Sequence, residues 1–192
     1  MKRVAVIFGG QTSEYEVSLK SAAAVLDALQ GEAYEVKKVG ISKTGQWYLY
    51  EGSNELIRED RWLGKNCRSL TPAIGEAWKG FTLLDAGEPL PVDVLFPVTH
   101  GEFVEDGRLQ GVFEWMELPY VGCGVAASAV CMNKGLTHRF AASIGLKTTP
   151  SIQCSVAELD MKELKAFIRK EGFPLFIKPL RGGSSKGISK LN

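Results

Sequence analysis

Residues 3–19, RVAVIFGGQTSEYEVSL, decide the fold class. Residues 3–8 form a short apolar, β-branched run, which suits a parallel strand buried on both faces. Gly9 and Gly10 then predict a tight turn. Ser13 and Glu16 stand at capping-box spacing, so a helix is expected to open there. Tyr15, Leu19, Ala22, Leu26 and Leu29 recur at alternating steps of four and three, which gives one apolar face, and Gly31 is placed to stop the helix. YEVKKVGI, residues 34–41, reads as a second strand. Strand, glycine turn, helix and strand together open a Rossmann-like α/β domain.

Outward from that unit, residues 45–50 predict a short hairpin with the preceding strand. Residues 51–90 have weak periodicity and many polar and glycine positions, so an irregular excursion with few regular elements is expected. VDVLFPV, residues 92–98, reads as a further buried strand. A helix over 107–116, a short strand over 118–121 and a small apolar helix over 125–131 follow. A boundary is expected near residues 122–124, dividing the chain into 1–123 and 124–192. In the second part the pattern predicts a helix over 133–144, with Leu136, Phe140 and Ile144 on one face and Gly145 at its end. A strand over 150–154, a helix over 160–170 stopped by Gly172, and a strand over 174–178 come next. The loop at 181–187 leads into one more strand beginning at Ile188. A unit of about 60 residues cannot bury much apolar area, so it is expected to continue in the natural protein or to pack on other protein surface.

The composition, 45% hydrophobic and 23% charged over 192 residues, is that of a globular chain. Lys plus Arg is 23 and Asp plus Glu is 22, for a net charge of +1, so charge offers no argument for nucleic acid. Cys67, Cys123, Cys131 and Cys154 form no CxxC pair and are expected to be reduced structural thiols. The run after MKR is too short for a signal sequence, and no segment reaches membrane-span length. A cytoplasmic protein is expected.

Four motifs carry chemistry. In FGGQTSEYEVSL, residues 8–19, a turn enters a helix N-terminus, where backbone N–H groups and the positive dipole end favour an anion. GxGxxG is absent, which disfavours a nicotinamide dehydrogenase. Glu16 fits a dipole complement, whereas Glu14 is either that or the partner of a ligand ammonium. In PVTHGEFVEDGRLQG, residues 97–111, His100 sits at the carboxyl end of a strand, the usual ligand edge of an α/β sheet. It serves either the structure or a bound carboxylate, with Glu105 close enough in sequence to orient it and Asp106 placed to cap the next helix. In CMNK, residues 131–134, Lys134 opposes the helix dipole, which solvent exposure or an anionic partner would explain. In FIKPLRGGSSKG, residues 176–187, Lys178 ends a strand expected to be buried, where a lysine wants a negative partner, and the loop offers backbone donors and two hydroxyls, either a phosphate cradle or a surface hairpin. The Walker A order is absent.

In their order and spacing, GG…SEYEVSL, HG…EDG.LQG, VGC….A..MNK and FIKP.R.GSS.G resemble the D-alanine–D-alanine ligase family across nearly the whole chain. GQWY at 45–48 and Cys123 resemble the vancomycin-resistance branch that includes D-alanine–D-serine ligases. The resemblance implies a Rossmann-like, pre-ATP-grasp N-terminal domain over 1–123. An incomplete ATP-grasp central α+β subdomain would follow over 124–192. It implies ATP-dependent ligation in peptidoglycan precursor synthesis: one D-alanine carboxylate is phosphorylated, and the amine of a second D-amino acid attacks the acyl phosphate, with two Mg2+ ions offsetting phosphate charge. Glu14 would hold the first D-alanine's ammonium, and Ser184 would join Glu14 in the network that fixes that site, the two being the expected catalytic residues. His100 would lie by the first substrate's carboxylate. Lys134 and Lys178 would bind ATP phosphates, and Gly183, Ser184, Ser185 and Gly187 would fold over them. A homodimer through the N-terminal domain is implied as well.

Thr99, Val104, Asn133 and Lys186 depart from the family's usual residues, and Val104 replaces a glycine that would tolerate φ > 0. The family's adenine-binding segment, catalytic arginine and magnesium ligands lie beyond Asn192. No metal ligand is therefore assigned, and the chain alone is expected not to ligate D-amino acids. The alternatives are another ATP-grasp carboxylate–amine ligase and a non-catalytic module that binds ligand or a partner.

Overall fold

The structure, a computed structural model, describes residues 1–31 and 33–192. They form two compact units, Met1–Ala129 and Val130–Asn192. The first contains β1 (Lys2–Gly9), α1 (Tyr15–Ala28), β2 (Tyr34–Ile41), β3 (Trp47–Tyr50), α2 (Asn54–Arg58), β4 (Cys67–Pro72), β5 (Gly80–Leu83), β6 (Glu88–Pro91), β7 (Val94–Pro97) and α3 (Arg108–Trp115). The division falls inside α4 (Val125–Met132). The second contains α5 (Lys134–Ser143), α6 (Met161–Glu171), β8 (Leu175–Ile177) and β9 (Ser189–Leu191).

The first unit is built on a seven-stranded mixed sheet in the order β6-β5-β4-β3-β2-β1-β7. β1 pairs in parallel with β2 and β7, the Rossmann-like part, and β2 through β6 continue as antiparallel neighbours. Side chains alternate across a strand, and β1 uses both faces. Val4, Val6 and Phe8 join Tyr15, Leu19, Ala22 and Leu26 of α1 in one core cluster. Ala5 and Ile7 join Leu109 and Phe113 of α3 in another. This two-sided burial is why β1 reads as an unbroken apolar run.

Residues 51–90 correct the expected irregular excursion: they supply α2 and three ladder strands. The strands escape detection because their signals are those of breakers. Pro89 and Pro91 lie in β6, which is an edge strand and tolerates the missing N–H, and Pro72 ends β4. Few residues per strand reach the core, Leu70 in β4 and Leu90 in β6. The same segment supplies Trp62, 2% exposed, whose ring meets Phe8, Tyr48 and Tyr50 edge-on at 5.0, 6.1 and 6.0 Å.

The helix after β1 also differs from expectation. Its N-cap is Glu14, which makes no side-chain capping bond, so the Ser13–Glu16 capping box does not form. The strand expected over 118–121 is a single parallel bridge between Leu95 and Tyr120. In the second unit α5 opens on Asn133, whose Oδ1 accepts the Leu136 N–H at 3.0 Å, and α6 ends at Gly172. β8 and β9 pair antiparallel. Residues 150–154 form no strand, since no ladder partner stands beside them among the described residues. The expected apolar face of α5 is present but uncovered: Phe140 and Ile144 are each 61% exposed.

Trp62→Ala is expected to destabilise the first unit by about 3–5 kcal/mol, the range for truncating a buried aromatic, as read by chemical denaturation followed by circular dichroism. A second expectation concerns the amino ends of the parallel strands. There Asp93 accepts the Arg3 backbone N–H at 2.7 Å and pairs with its guanidinium at 2.5 Å. These bonds hold the Asp93 carboxyl at about 2, below its ordinary 3.8. A depressed carboxyl contributes stability above its ordinary value and loses it as pH falls through the folded one. Asp93→Asn should therefore be less stable than wild type at neutral pH. The gap should close as the pH falls from 3.8 towards about 2, measured by denaturation across pH.

Candidate functional site

The carboxyl ends of β1 and β7 bring together the first two motifs, and the first turn of α1 is delivered there by constraints on its backbone. Gly9 has φ +83, and a Cβ on it would stand 2.2 Å from the Ile41 carbonyl oxygen, so only glycine fits beside the end of β2. Gly10 donates its N–H to that oxygen at 2.8 Å. Buried Ser18, on α1, donates its hydroxyl to the Val98 carbonyl at 2.6 Å and accepts the Gly9 N–H at 2.8 Å. The Thr12 hydroxyl donates to the His100 carbonyl at 2.8 Å and accepts the Glu14 N–H at 3.2 Å.

Glu14 is therefore buried at the start of α1, 8% exposed, against the His100–Gly101 backbone. A Cβ on Gly101, whose φ is +94, would lie 2.4 Å from Thr12 Oγ1 and 3.2 Å from Glu14 Oε1. Close approach thus requires glycine at Gly101. Next to Glu14, the Tyr15 hydroxyl accepts the Trp62 indole N–H at 2.8 Å, and burial pushes the Tyr15 phenol up to about 12. The Lys43 ammonium sits 4.7 Å from the centre of the Tyr15 ring. The aromatic cluster so anchors the turn that carries Glu14.

The imidazole of His100 lies between two polar groups: Nε2 is 3.2 Å from Ser21 Oγ, and Nδ1 is 3.9 Å from Glu105 Oε1. The second distance is too long for a hydrogen bond. Glu105 accepts the Gly101 N–H at 2.5 Å through its other oxygen, and its own N–H donates to the Gly101 carbonyl at 3.0 Å. Asp106 accepts the N–H groups of Phe103 and Arg108 at 3.1 and 3.3 Å, while the N-cap of α3 is Gly107. The left-handed non-glycine position in this loop is Phe103, φ 70, with the Arg108 guanidinium 4.3 Å over its ring. Val104 does not take a positive φ. It is buried instead, 4% exposed, in the core beneath α3. Buried Gln110 donates to the Val104 carbonyl at 3.1 Å and accepts the Gly107 N–H at 3.0 Å. Sequence reasoning missed Thr12, Ser18, Ser21 and Gln110. The i, i+4, i+7 spacing places Ser18 and Ser21 on the Glu14 face of α1 without showing what they bond, and nothing in the sequence marked Thr12 or Gln110.

Lys134, Lys178 and the 183–187 loop lie in the second unit. Lys134 is the first residue of α5, and its Nζ donates to the Gly182 carbonyl at 2.8 Å while its backbone N–H donates to Leu180 at 3.0 Å. A carbonyl partner thus already accounts for a cation at that helix end. Lys178 follows β8 directly, but the strand is not buried: Phe176 and Ile177 are 55% and 58% exposed, and Lys178 itself is exposed. The expectation that burial obliges Lys178 to take a negative partner therefore falls. In the loop, Gly183 is half-buried and Ser184, Ser185 and Gly187 are exposed. Ser184, Ser185 and Gly187 have φ of 48, 57 and 71, so two successive serines hold a conformation that costs about 1–2 kcal/mol per residue. All four cysteines are free thiols, and no described group of three or more His, Cys, Asp or Glu could hold a metal ion. No described helix is long and apolar enough to cross a membrane.

Comparison with known proteins gives the same family from three directions. The family described as D-ala D-ala ligase N-terminus matches residues 3–123. The vancomycin C-type resistance protein VanC1 of Enterococcus gallinarum is 50% identical, the match covering 100% of this chain and 54% of VanC1. The D-alanine–D-alanine ligase of Thermoanaerobacter pseudethanolicus is 40% identical over 100% of this chain and 54% of its own. Among solved structures, the VanG D-Ala:D-Ser ligase of Enterococcus faecalis superposes with a TM-score of 0.86 at 38% identity, covering 98% of this chain and 55% of that one. The chain thus spans about half the length of the relatives it matches. It belongs to the D-alanine–D-alanine ligase family.

Proposed function

We propose that this chain supplies the first-substrate part of an ATP-dependent ligase that joins D-alanine to a second D-amino acid through an acyl phosphate. The observation that carries this reading is the buried Glu14 carboxylate, packed beside Gly101 at the carboxyl edge of the parallel strands. In that place a carboxylate is suited to a ligand ammonium. In this reading Glu14 holds the ammonium of the first D-alanine, and His100 stands by its carboxylate. Lys134 and Lys178 meet ATP phosphates, and Gly183, Ser184, Ser185 and Gly187 form the loop over them. Ser184 also serves the first-substrate network. The cations and the loop's hydroxyls and N–H groups fit a polyphosphate. Two Mg2+ ions would offset the phosphate charge in this reading, and no residue of this chain is assigned to hold them, so no step is routed through them. The protein would work in the cytoplasm, on peptidoglycan precursors, as a homodimer through residues 1–123, which sedimentation would check.

The second substrate is D-alanine or D-serine. The 50% identity to VanC1 and the fit to the VanG D-Ala:D-Ser ligase support the resistance branch.

Isothermal titration of the protein tests the reading. D-Alanine should bind saturably and L-alanine should not. Loss of a charge-assisted bond of about 1.5–3 kcal/mol in Glu14→Gln should weaken D-alanine binding by about 10–100-fold and leave MgATP binding intact. Equal heats for the two enantiomers, or none, would sink the reading. Gly101→Ala, whose added methyl meets Thr12 Oγ1 at 2.4 Å, should lose D-alanine binding while MgATP still binds.

A further inference from the structure

Glu14, Ser18 and Ser21 occupy positions i, i+4 and i+7 of α1 and so share one face of the helix. Two of the three are already tied to the ends of the strands: Glu14 packs against Gly101, and Ser18 bonds Gly9 and Val98. The third, half-buried Ser21, has its hydroxyl 3.2 Å from His100 Nε2. A serine at this helical position could bond its own i−4 carbonyl instead. Its hydroxyl meets the imidazole.

The other ring nitrogen settles which group donates. Nδ1 faces the Glu105 carboxylate at 3.9 Å, and an ionised carboxylate only accepts. A neutral imidazole is then lowest in energy with its proton on Nδ1, facing the negative charge. Nε2 is left as a lone-pair acceptor, and Ser21 must donate to it. We propose that Ser21 is a positioning residue that fixes the ring plane of His100 and, together with Glu105, its tautomer: Glu105 stands beyond hydrogen-bond reach of Nδ1, and the hydrogen bond at Nε2 completes the choice. Its hydroxyl donates to Nε2, and the ring proton stays on Nδ1 towards Glu105. Three hydroxyls then hold the 98–100 segment from the α1 side. Ser18 holds the Val98 carbonyl, Thr12 the His100 carbonyl and Ser21 the ring. One helix thereby sets both the carboxylate that would meet an ammonium and the imidazole that would lie by a carboxylate. That consequence rests on the ligase reading; the tautomer assignment does not.

The chain has two histidines, His100 and His138, so long-range 1H–15N correlation spectra of the ring nitrogens, assigned with His138→Gln, report on His100 directly. Wild type should show the Nδ1–H pattern when neutral. Ser21→Ala, a change that raises helix propensity and so should keep α1 folded, should shift the pattern towards Nε2–H and weaken D-alanine binding by about 3–10-fold, the cost of one neutral hydrogen bond. Ser21→Thr should restore both. An unchanged ring pattern in Ser21→Ala, or an Nε2–H pattern in wild type, overturns the proposal. A shifted pattern in a protein that binds no D-alanine upholds Ser21's role and counts against the ligase reading alone.

Discussion

The candidate site depends on the Ser18 hydroxyl. It is fully buried and makes two bonds at once, accepting the Gly9 N–H and donating to the Val98 carbonyl. These groups end β1 and β7, where the ladder no longer satisfies them. A buried backbone group left without a partner costs about 1–3 kcal/mol, so one side chain offsets two such penalties. Because Ser18 belongs to α1, satisfying the strand ends also fixes where the helix begins. Glu14, one turn earlier, is carried to Gly101 as a consequence. Thr12 repeats the device one step further out, joining the His100 carbonyl to the Glu14 N–H.

Around that junction the packing is two-sided. α1 covers one face of β1 and α3 the other, and the carboxyl ends of the strands are the edge at which ligands bind in open α/β sheets. The antiparallel extension contributes as well. The segment between β3 and β4 sends Trp62 back under α1, where its indole N–H bonds the Tyr15 hydroxyl. Nonpolar packing thus sets the rotation of α1, and hydrogen bonds set its register.

The loop from Gly101 to Gly107 asks for no glycine at position 104. Val104 stands where the family has glycine, yet it takes no positive φ and packs into the core. The left-handed non-glycine residue is its neighbour Phe103, whose N–H is held by Asp106 and whose ring is covered by Arg108. In the second unit Asn133, another departure, caps α5: its side-chain oxygen accepts the Leu136 N–H.

The sequence by itself determined the parallel β1–α1–β2 unit, because a strand buried on both faces must be apolar throughout and a helix buried on one face must repeat at 3.6 residues. It also determined the order of the four motifs, and through them the family. Glu14 and His100 were legible as candidates because they fall where a strand ends. The tertiary structure alone decided the rest. The strands of residues 51–90 earn their burial only from neighbours far along the chain, and their prolines and glycines read locally as interruptions. Ser18 and Ser21 look like ordinary helix residues until Val98 and His100, about 80 residues away, are brought beside them. Spacing can put a hydroxyl on a given helix face, but what each one does is fixed by the partner that folding supplies.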